Sequence, residues 1–344
     1  MDEKECPRGL SFIVCCYNSE ARIAETLAAL KAQENGEIPY EVLLVDNNCS
    51  DKTVSLAKSI WDRSDIPLRV VTEKRPGVGH ARKTGVMSAG YAYISFVDDD
   101  NIVEKKWVRK VADFFAKRPD VAAVGSRNEA LPEGPVPFWF EKNQHCYACG
   151  PQLTVSGPVT ADRAYLWGAG LSLRRKIIRE ILESDWPLYL QGRKENSLTS
   201  GEDVEICMRM YLAGWKLWYD GDLRLQHRIS RSRLCWKYFC RLQEGFGRTA
   251  PVLYLYRNLI RGTSPRSCPA LVSLKLKQLF FLLLRYHVRL LFSREGETFQ
   301  TQFCYERTYL KELLRLGRRY HRICRTIREK SASGAQRRLI SPDC

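Results

Sequence analysis

The sequence has no apolar run long enough to cross a membrane. Its most lipid-like stretch, LFFLLLRYHVRLLF (279–292), is interrupted by Arg285 and Arg289, and it falls well short of the roughly 20 apolar residues that a spanning helix needs. The N-terminal segment MDEKECPRG is charged and lacks the apolar stretch of a secretory signal peptide. We also find no internal repeat. These absences predict a chain without a transmembrane segment or a signal for secretion.

A regular cysteine framework is also missing. The 13 cysteines are odd in number and scattered, and several, such as Cys15 and Cys16, lie in apolar runs. This distribution predicts reduced, mostly structural thiols and a cytoplasmic location. Cys146 and Cys149 form a C-x-x-C pair with no second pair to complete a structural zinc site, so zinc is disfavoured.

The bulk composition describes a folded protein with a basic C-terminal third. The chain has 344 residues, of which 44% are apolar, and this is enough for one large domain or a domain with an extension. Residues 1–227 contain 30 basic and 32 acidic side chains, whereas residues 228–344 contain 25 basic and 7 acidic ones. The asymmetry predicts an anionic partner, which the sequence leaves open as lipid headgroups, phosphates or nucleic acid.

Strands and helices alternate from residue 10 to residue 128. Apolar runs that end in polar turns predict strands, and apolar residues at helical spacing predict the helices between them. The predicted strands lie in 10–18, 40–53, 67–74, 91–101 and 121–128, and the predicted helices in 19–33, 51–61, 81–89 and 105–117. This order predicts an α/β fold with a mostly parallel central sheet covered by helices on both faces.

Polar residues follow the predicted strands at the points where they end. In α/β sheets, ligands bind at the carboxyl ends of the strands. The residues at those ends are Tyr17, Asn18, Asp46, Asn47, Asn48, Arg75, Asp98, Asp99 and Asp100. Their convergence predicts a ligand site at this edge of the sheet.

The three consecutive aspartates, Asp98 to Asp100, follow an apolar strand. Carboxylates in this position can hold Mg²⁺ or Mn²⁺ with help from substrate phosphates and water. Because successive residues of an extended chain point to opposite sides, we expect Asp98 and Asp100 to face one site and Asp99 to face away. The alternative is a solvated acidic turn, but the position after a buried strand favours a metal.

Two further segments have alternative interpretations. Asp46 can accept hydrogen bonds from a nucleotide base or ribose, or it can form an Asx turn. The segment RPGVGHARKTG (75–85) is rich in glycine, but Arg82 occupies the place of the third glycine in G-x-G-x-x-G, which disfavours a dinucleotide site. Its cations Arg75, Arg82 and Lys83 either meet a nucleotide or are ordinary solvated side chains.

Several of these segments together resemble family 2 glycosyltransferases of the GT-A fold. They are SFIVCCYNSEARIAETLAALKAQ, YEVLLVDNNCSDKT, RPGVGHARKTG, FVDDDN and GEDVEICMRMYLAGWKLWYD, and they occur in the family's order. The resemblance covers about residues 9–240 and leaves the basic C-terminal part outside. It implies a domain at 1–240, followed by a basic helical extension at 241–330 and a flexible tail at 331–344.

The resemblance also implies roles for individual residues. Asp203 matches the catalytic base, with Glu202 beside it. Asp98 and Asp100 match the D-x-D pair of the metal site, with Asp100 the better direct ligand, and His227 lies where some members have a further ligand, although a structural histidine is the equal alternative. The residues assigned to nucleotide-sugar binding are Tyr17, Asn18, Asp46, Asn48, Arg75, Arg82, Asp98 and Asp99.

The implied activity is an inverting, Mg²⁺- or Mn²⁺-dependent transfer of one sugar from a nucleotide-diphosphate donor to a glycan or lipid-linked acceptor, as in a bacterial surface polysaccharide pathway. The Q-x-x-R-W motif of processive synthases is missing, which disfavours polymer extrusion. A non-catalytic membrane- or nucleic-acid-binding protein on the same fold is the alternative. A pyrophosphorylase is disfavoured because no Gly-rich, Arg-containing loop follows the first strand.

The segment SLKLKQLFFLLLRYHVRLLF (273–292) combines a wide apolar face with four basic residues. Such a helix can lie in the interface of an anionic membrane, here the inner face of the cytoplasmic membrane. It can equally pack on the catalytic domain or on the partner of a homodimer. Nucleic acid is a weaker candidate, because no RNA-binding signature accompanies the basic and aromatic residues.

Overall fold

The computed structural model of the protein describes residues 6–193, 198–290 and 296–340, and only the backbone at 286–290, 296–298 and 333–340. The strands in these ranges are β1 (Leu10–Cys16), β2 (Tyr40–Asp46), β3 (Leu68–Thr72), β4 (Tyr93–Asp98), β5 (Asn101–Val103), β6 (Val121–Pro132), β7 (Gly157–Pro158), β8 (Ser172–Arg174) and β9 (Lys216–Ile229). They form one sheet in the order β3-β2-β1-β4-β8-β6-β9-β5, and β7 pairs with β9.

The helices of the described ranges surround this sheet and form the C-terminal region. They are α1 (Ile23–Lys31), α2 (Thr53–Trp61), α3 (Val78–Ser88), α4 (Trp107–Lys117), α5 (Phe140–Asn143), α6 (Arg175–Glu183), α7 (Glu202–Leu212), α8 (Trp236–Ile260), α9 (Cys268–Leu290), α10 (Gly296–Leu316) and α11 (Arg318–Ile340). Short 3₁₀ turns lie at Gln144–Tyr147 and Arg231–Arg233.

The predicted α/β class is confirmed, and the parallel part of the sheet is its first half. Strands β3, β2, β1 and β4 pair in parallel, and β1, β2 and β4 are almost continuously buried, as expected for central strands covered on both faces. The second half is mixed. Strand β8 runs antiparallel to both β4 and β6, and β5 runs antiparallel to β9.

Helices cover both faces of the sheet, as predicted. On one face, apolar side chains of α1, α2 and α4 pack on the strands, with Trp107 fully buried among them. On the other face, α3, α6 and α7 contribute a second apolar cluster around Phe96 and Ile178. The sheet edge at the carboxyl ends of β1, β2 and β4 is therefore held rigidly between two helical layers.

The C-terminal extension packs on the catalytic domain. Met208 of α7 lies in one buried cluster with Tyr256 of α8, Leu313 of α10 and Tyr320 of α11. A buried polar link strengthens this contact, because the Tyr256 hydroxyl donates to Oε1 of Glu205 at 2.8 Å. The alternatives for the basic extension concerned residues 273–292 of α9. The start of that helix packs in the same cluster as α8, α10 and α11, through Cys268, Leu271 and the partly buried Leu274.

The C-terminal end of the described chain is helical. The flexible tail expected from residue 331 is instead the end of α11, which continues to Ile340 through the weak helix formers Ser333 and Gly334 and then through the better helix formers of 335–339; residues 341–344 lie outside the described ranges. No helix in the described part of the chain is long and apolar enough to span a membrane.

Candidate active site

A cavity of about 850 Å³ opens at the carboxyl ends of β1 and β4 and continues along α7 and α8. It is lined by residues from the predicted site, including Tyr17, Arg82, Asp98, Asp99, Asp100, Glu202, Asp203 and His227. The alternation of strand and helix brings most of them together at one edge of the sheet. The tyrosine and the three aspartates lie at or just after the ends of β1 and β4, and Glu202 and Asp203 begin α7, whereas Arg82 lies inside α3 and His227 lies near the end of β9.

Asp98 pairs with Arg82 from α3. The Arg82 Nη2 lies 3.2 Å from Oδ1 of Asp98, and its Nη1 lies 2.8 Å from Oε1 of Glu202. The guanidinium also lies over the ring of Phe96, 5.0 Å from the centroid. Arg82 is buried, so it is a fixed cation that joins the aspartate strand end to the start of α7.

Asp99 faces a different pair of groups. It accepts hydrogen bonds from the Ser19 hydroxyl and from Arg22, whose Nη2 is 2.8 Å from Oδ2 of Asp99. Burial raises the pKa of Asp99, against the opposing effect of Arg22. Asp99 therefore anchors the chain that leads into α1.

Asp100 lies between two groups from the end of β9. His227 Nε2 is 3.4 Å from its Oδ1, and Arg233 Nη1 is 2.7 Å from its Oδ2. Although burial opposes ionisation, His227 and Arg233 hold the pKa of Asp100 well below its usual range. Burial likewise opposes charge on His227, but the Asp100 carboxylate raises the pKa of that histidine to about 10.

Asp98, Asp100 and His227 do not form a ready-made three-ligand set. Among the described residues, no group of three or more His, Cys, Asp or Glu side chains is arranged to hold a metal ion. The side chain of Asp98 is 37% exposed, and both it and Asp100 line the cavity. One or two carboxylates completed by substrate phosphates suit Mg²⁺, so the donor set fits a metal that arrives with a phosphorylated substrate.

Glu202 and Asp203 form the first turn of α7, where acidic side chains are favoured by the helix dipole. Gly201 precedes them with φ of 113°, a conformation that suits glycine. Asp203 Oδ2 accepts from the Gly168 backbone N–H at 2.6 Å, and its Oδ1 accepts from the Val204 N–H at 2.9 Å. Asp203 is thus oriented by backbone donors while remaining only partly buried.

Gly168 belongs to the small-residue segment GAGLSL and has no room for a side chain. A Cβ there would lie 2.6 Å from Nη1 of Arg82 and 2.9 Å from Oδ2 of Asp203. The backbone of this segment is therefore packed closely against the charged groups themselves.

Four residues assigned to nucleotide-sugar binding are not among those that line the cavity. Asp46 bonds within its own loop, since its Oδ1 accepts from the Cys49 N–H at 2.9 Å, three residues on, whereas an Asx turn bonds two residues on. Arg75 forms an ion pair with Glu73 at 2.8 Å, and its side chain is 63% exposed. The role of Asp46 and Arg75 in binding a nucleotide remains a prediction.

The other two are asparagines in the left-handed region, Asn18 with φ of 50° and Asn48 with φ of 68°. Asn18 Oδ1 accepts from the Ser50 N–H at 2.8 Å, and Asn48 donates to the Lys74 carbonyl at 3.1 Å. These contacts shape the loops after β1 and β2. Tyr17 does line the cavity, and it is 49% exposed.

Asn47 was counted among the strand-end residues but was not assigned to nucleotide-sugar binding, yet it is buried and lines the cavity. Its Nδ2 donates to the carbonyls of Glu73 and Arg75, and its Oδ1 accepts from the Gly77 N–H at 2.9 Å. It thereby fixes the loop that precedes α3. Its position between two assigned residues was the available signal.

Arg233 was also missed. It contacts Asp100 directly, and its Nε donates to the Tyr238 hydroxyl at 3.0 Å. In the sequence it is one of several arginines in SRSRLCWKYFCR, and nothing local distinguishes it from its neighbours.

The raised pKa of Glu202 predicts that the free energy of unfolding depends on pH. Burial, and then the charge of Asp203, raise its pKa from 4.5 to about 7. Between pH 4.5 and about pH 7 the Glu202 carboxyl keeps its proton in the folded protein and loses it in the unfolded chain. The free energy of unfolding therefore falls as the pH rises through this range. The contribution of Glu202 to that fall is at most about 1.4 kcal/mol per pH unit. Urea unfolding between pH 5 and pH 8 should show this component in the wild type and not in Glu202→Gln; equal pH profiles would contradict it.

The sequence is similar to those of known proteins. Residues 11–181 match the sequence model of a family described as Glycosyl transferase family 2. Glycosyltransferase AglE of Haloferax volcanii is 24% identical over 221 residues, which are 62% of this chain and 65% of that protein. Poly-beta-1,6-N-acetyl-D-glucosamine synthase of Staphylococcus epidermidis is 25% identical over 122 residues, 36% of this chain and 29% of that protein. The match thus spans less than two thirds of either relative.

The fold is similar to that of S. aureus TarS. The structure of TarS 1–349 has a TM-score of 0.52 at 16% identity, over 90% of this chain and 91% of that one. Its complex with UDP has a TM-score of 0.51 at 17% identity, with coverage of 90% and 91%. At these identities the likeness shows the fold alone. It confirms the predicted GT-A arrangement with a helical C-terminal region.

Proposed function

Because the chain belongs to glycosyltransferase family 2, we propose that it transfers one sugar from a nucleotide-diphosphate donor to a glycan or lipid-linked acceptor, as in surface polysaccharide synthesis. The observation that carries this proposal is that Asp98, Asp100 and Asp203 line one cavity. In this proposal, Asp98 and Asp100 bind the donor through a metal ion, and Asp203 takes the proton from the acceptor hydroxyl.

The proposed reaction is a single displacement that inverts the anomeric centre. The acceptor hydroxyl oxygen attacks the anomeric carbon and passes its proton to Asp203 as general base. The bond from that carbon to the diphosphate oxygen breaks, and the electron pair leaves with the diphosphate. The two backbone N–H groups that bond Asp203 hold its carboxylate in one orientation for this transfer.

The donor end of the site carries the means to stabilise the leaving group. Asp98 and Asp100 would hold Mg²⁺ or Mn²⁺, which offsets the charge that develops on the diphosphate. His227 lies 3.4 Å from Asp100 and would join them once its ring proton is lost, since a metal binds neutral imidazole. Arg233 lies beside the same carboxylate, and it supplies a fixed positive charge to the diphosphate oxygens.

UDP-sugars are the first donors to test, since TarS has been solved with UDP and with UDP-GlcNAc. By calorimetry, the purified protein should bind UDP-GlcNAc in the presence of Mn²⁺ and lose at least about tenfold in affinity with EDTA, since metal and phosphate bind together. Asp100→Asn should lower the Mn²⁺-dependent affinity, whereas the exposed Asp113→Asn should not. If no nucleotide sugar binds with metal, the enzyme proposal is wrong and the non-catalytic alternative is favoured.

Helix α9 supports a second proposal, that the protein associates with an anionic membrane surface at the inner face of the cytoplasmic membrane. Its exposed side chains include Leu276, Lys277, Phe280, Phe281, Leu283, Leu284 and Arg285. An apolar helix face with basic residues beside it binds at the interface of anionic lipid.

The membrane proposal predicts a lipid-dependent flotation. The wild type should float with phosphatidylglycerol vesicles and much less with phosphatidylcholine vesicles. Replacing Phe280 and Phe281 by Asp should abolish flotation. Each replacement removes an aromatic ring that would be buried in the lipid and adds a negative charge that the anionic headgroups repel. Phe138→Asp is the matched control, since Phe138 is 83% exposed in another part of the chain. Flotation of the double variant at the wild-type level would refute the proposal.

A further inference from the structure

The cavity extends beyond the aspartates to which the donor is assigned, and α8 forms one wall of this second part. Seven residues of α8 line the cavity, and we call them the α8 wall: Leu242, Gln243, Phe246, Thr249, Ala250, Leu253 and Arg257. Their spacing places them on one helix face about 22 Å long. The middle of this wall lies close to the start of α7, because a Cβ at Gly201, two residues before Asp203, would lie 3.6 Å from Cβ of Thr249.

Aromatic rings face the α8 wall from other elements. Tyr147, Tyr165 and Trp167 line the cavity from the segment between β6 and β8, and Tyr305 does so from α10. Trp167 immediately precedes Gly168, whose N–H bonds Asp203. Rings that bury apolar area beside a few placed polar groups are typical of a ligand pocket, and the C–H faces of a sugar ring suit them.

Two arginines give this part of the cavity a positive charge. Arg163 and Arg257 both line it, and within residues 6–193, 198–290 and 296–340 neither forms an ion pair with a carboxylate. The guanidinium of Arg163 lies over Tyr165 at 4.7 Å and over Trp167 at 5.5 Å. A half-buried cation held on two rings is poised for an anion from outside the chain.

An ion pair connects the two elements that carry these arginines. Arg261, one helical turn after Arg257, forms an ion pair with Asp162 at 3.3 Å. This contact ties the end of α8 to the segment that carries Arg163. Two cations from separate elements can bind one phosphate group through several charge-assisted hydrogen bonds.

We propose that this part of the cavity is the acceptor site and that it selects an acceptor carrying a phosphate group. Arg163 and Arg257 hold the phosphate, the rings of Tyr165 and Trp167 pack on the acceptor, and its hydroxyl reaches Asp203. The inference rests on the proposed sugar transfer and names the acceptor class. A phosphate within a glycan and the phosphate of a lipid carrier share this chemistry.

The test uses the full-length protein saturated with UDP and Mn²⁺, so that the donor end is filled. Glucose 6-phosphate and farnesyl phosphate are the probes for the two phosphate sources, and glucose is the neutral control. By calorimetry, at least one phosphate probe should bind about tenfold or more tightly than glucose, as expected for charge-assisted bonds. The tighter of the two identifies the source.

The variant Arg163→Gln/Arg257→Gln should lose this preference and keep its affinity for UDP. Arg248→Gln is the matched control, since Arg248 is exposed on the same helix and is not among the cavity-lining residues. Equal binding of glucose and both phosphates, or an equal loss in the Arg248 variant, would overturn the acceptor proposal. A failure of the wild type to bind UDP would instead count against the proposed sugar transfer.

Discussion

Replacing Asp203 by Asn is expected to lower the rate of sugar transfer by roughly 100-fold to 10,000-fold, which is the range that a positioned general base contributes. Asparagine can keep one of the two hydrogen bonds that the carboxylate accepts from the Val204 and Gly168 N–H groups, because only its amide oxygen accepts, and it cannot take a proton from the acceptor. The affinity for UDP-GlcNAc should therefore change little. Transfer is measured as release of UDP in the presence of acceptor, and donor binding by calorimetry.

Asp62→Asn is the control for this experiment, because Asp62 is an exposed aspartate whose side chain pairs with Arg63 at 3.8 Å, away from the cavity. It should retain wild-type transfer and binding. Wild-type transfer by the Asp203 variant would remove Asp203 as the base. A parallel loss of donor binding would mean that Asp203 holds the donor rather than the acceptor's proton.

The aspartate triplet illustrates how far the sequence predicts the site. The apolar run before it correctly located the strand end, but the alternation expected of an extended chain stops there, because β4 ends at Asp98 and a turn follows. Each carboxylate faces a different cation: Arg82, Arg22 or Arg233. These partners come from distant parts of the chain, so local spacing could not identify them.

His227 shows the same dependence on long-range pairing. It lies beside Asp100 because β5 and β9 pair antiparallel with Asn101 opposite His227. That register also brings the chain after β9, with Arg233, to the strand end. The motif GEDVEICMRMYLAGWKLWYD ends at residue 220, before His227 and Arg233, and therefore does not indicate how either residue is placed.

The α8 wall was not predicted for a related reason. The family resemblance ended near residue 240, and the basic composition beyond it indicated an anionic partner without a location. Packing of Met208 and Tyr256 in one buried cluster turns the extension toward the catalytic domain. The basic residues of the extension consequently lie on two surfaces, the cavity at Arg257 and the exposed face of α9.

Replacing Arg82 by Leu is expected to cause the largest loss of stability at this site. The side chain of Arg82 is 8% exposed and contacts both Glu202 and Asp98. Removing one partner of a buried ion pair leaves the other charge uncompensated, which costs about 3–5 kcal/mol. The loss is measured by urea unfolding of the variant and the wild type at pH 8.

A variant that removes both charges separates this explanation from a loss of packing. In Arg82→Leu/Glu202→Leu the buried carboxylate that lost its partner is removed as well, while the buried Glu205 keeps its ion pair with Arg209 at 2.8 Å, so stability should recover by a large part of the single-variant loss. The single variant should also be less destabilised at pH 5 than at pH 8, since Glu202 with its raised pKa takes up a proton there.

The exposed pair of Arg109 and Asp113, separated by 3.7 Å, provides the matched control. Arg109→Leu should change the free energy of unfolding by no more than about 1 kcal/mol, because solvent screens an exposed pair. If Arg82→Leu behaves like Arg109→Leu, or if its loss is the same at both pH values, Arg82 does not hold the two carboxylates together. If the prediction is met, the positions of Asp98 at the strand end and of Glu202 at the start of α7 both depend on the buried Arg82. The proposed donor and acceptor parts of the site are then held together by this one side chain.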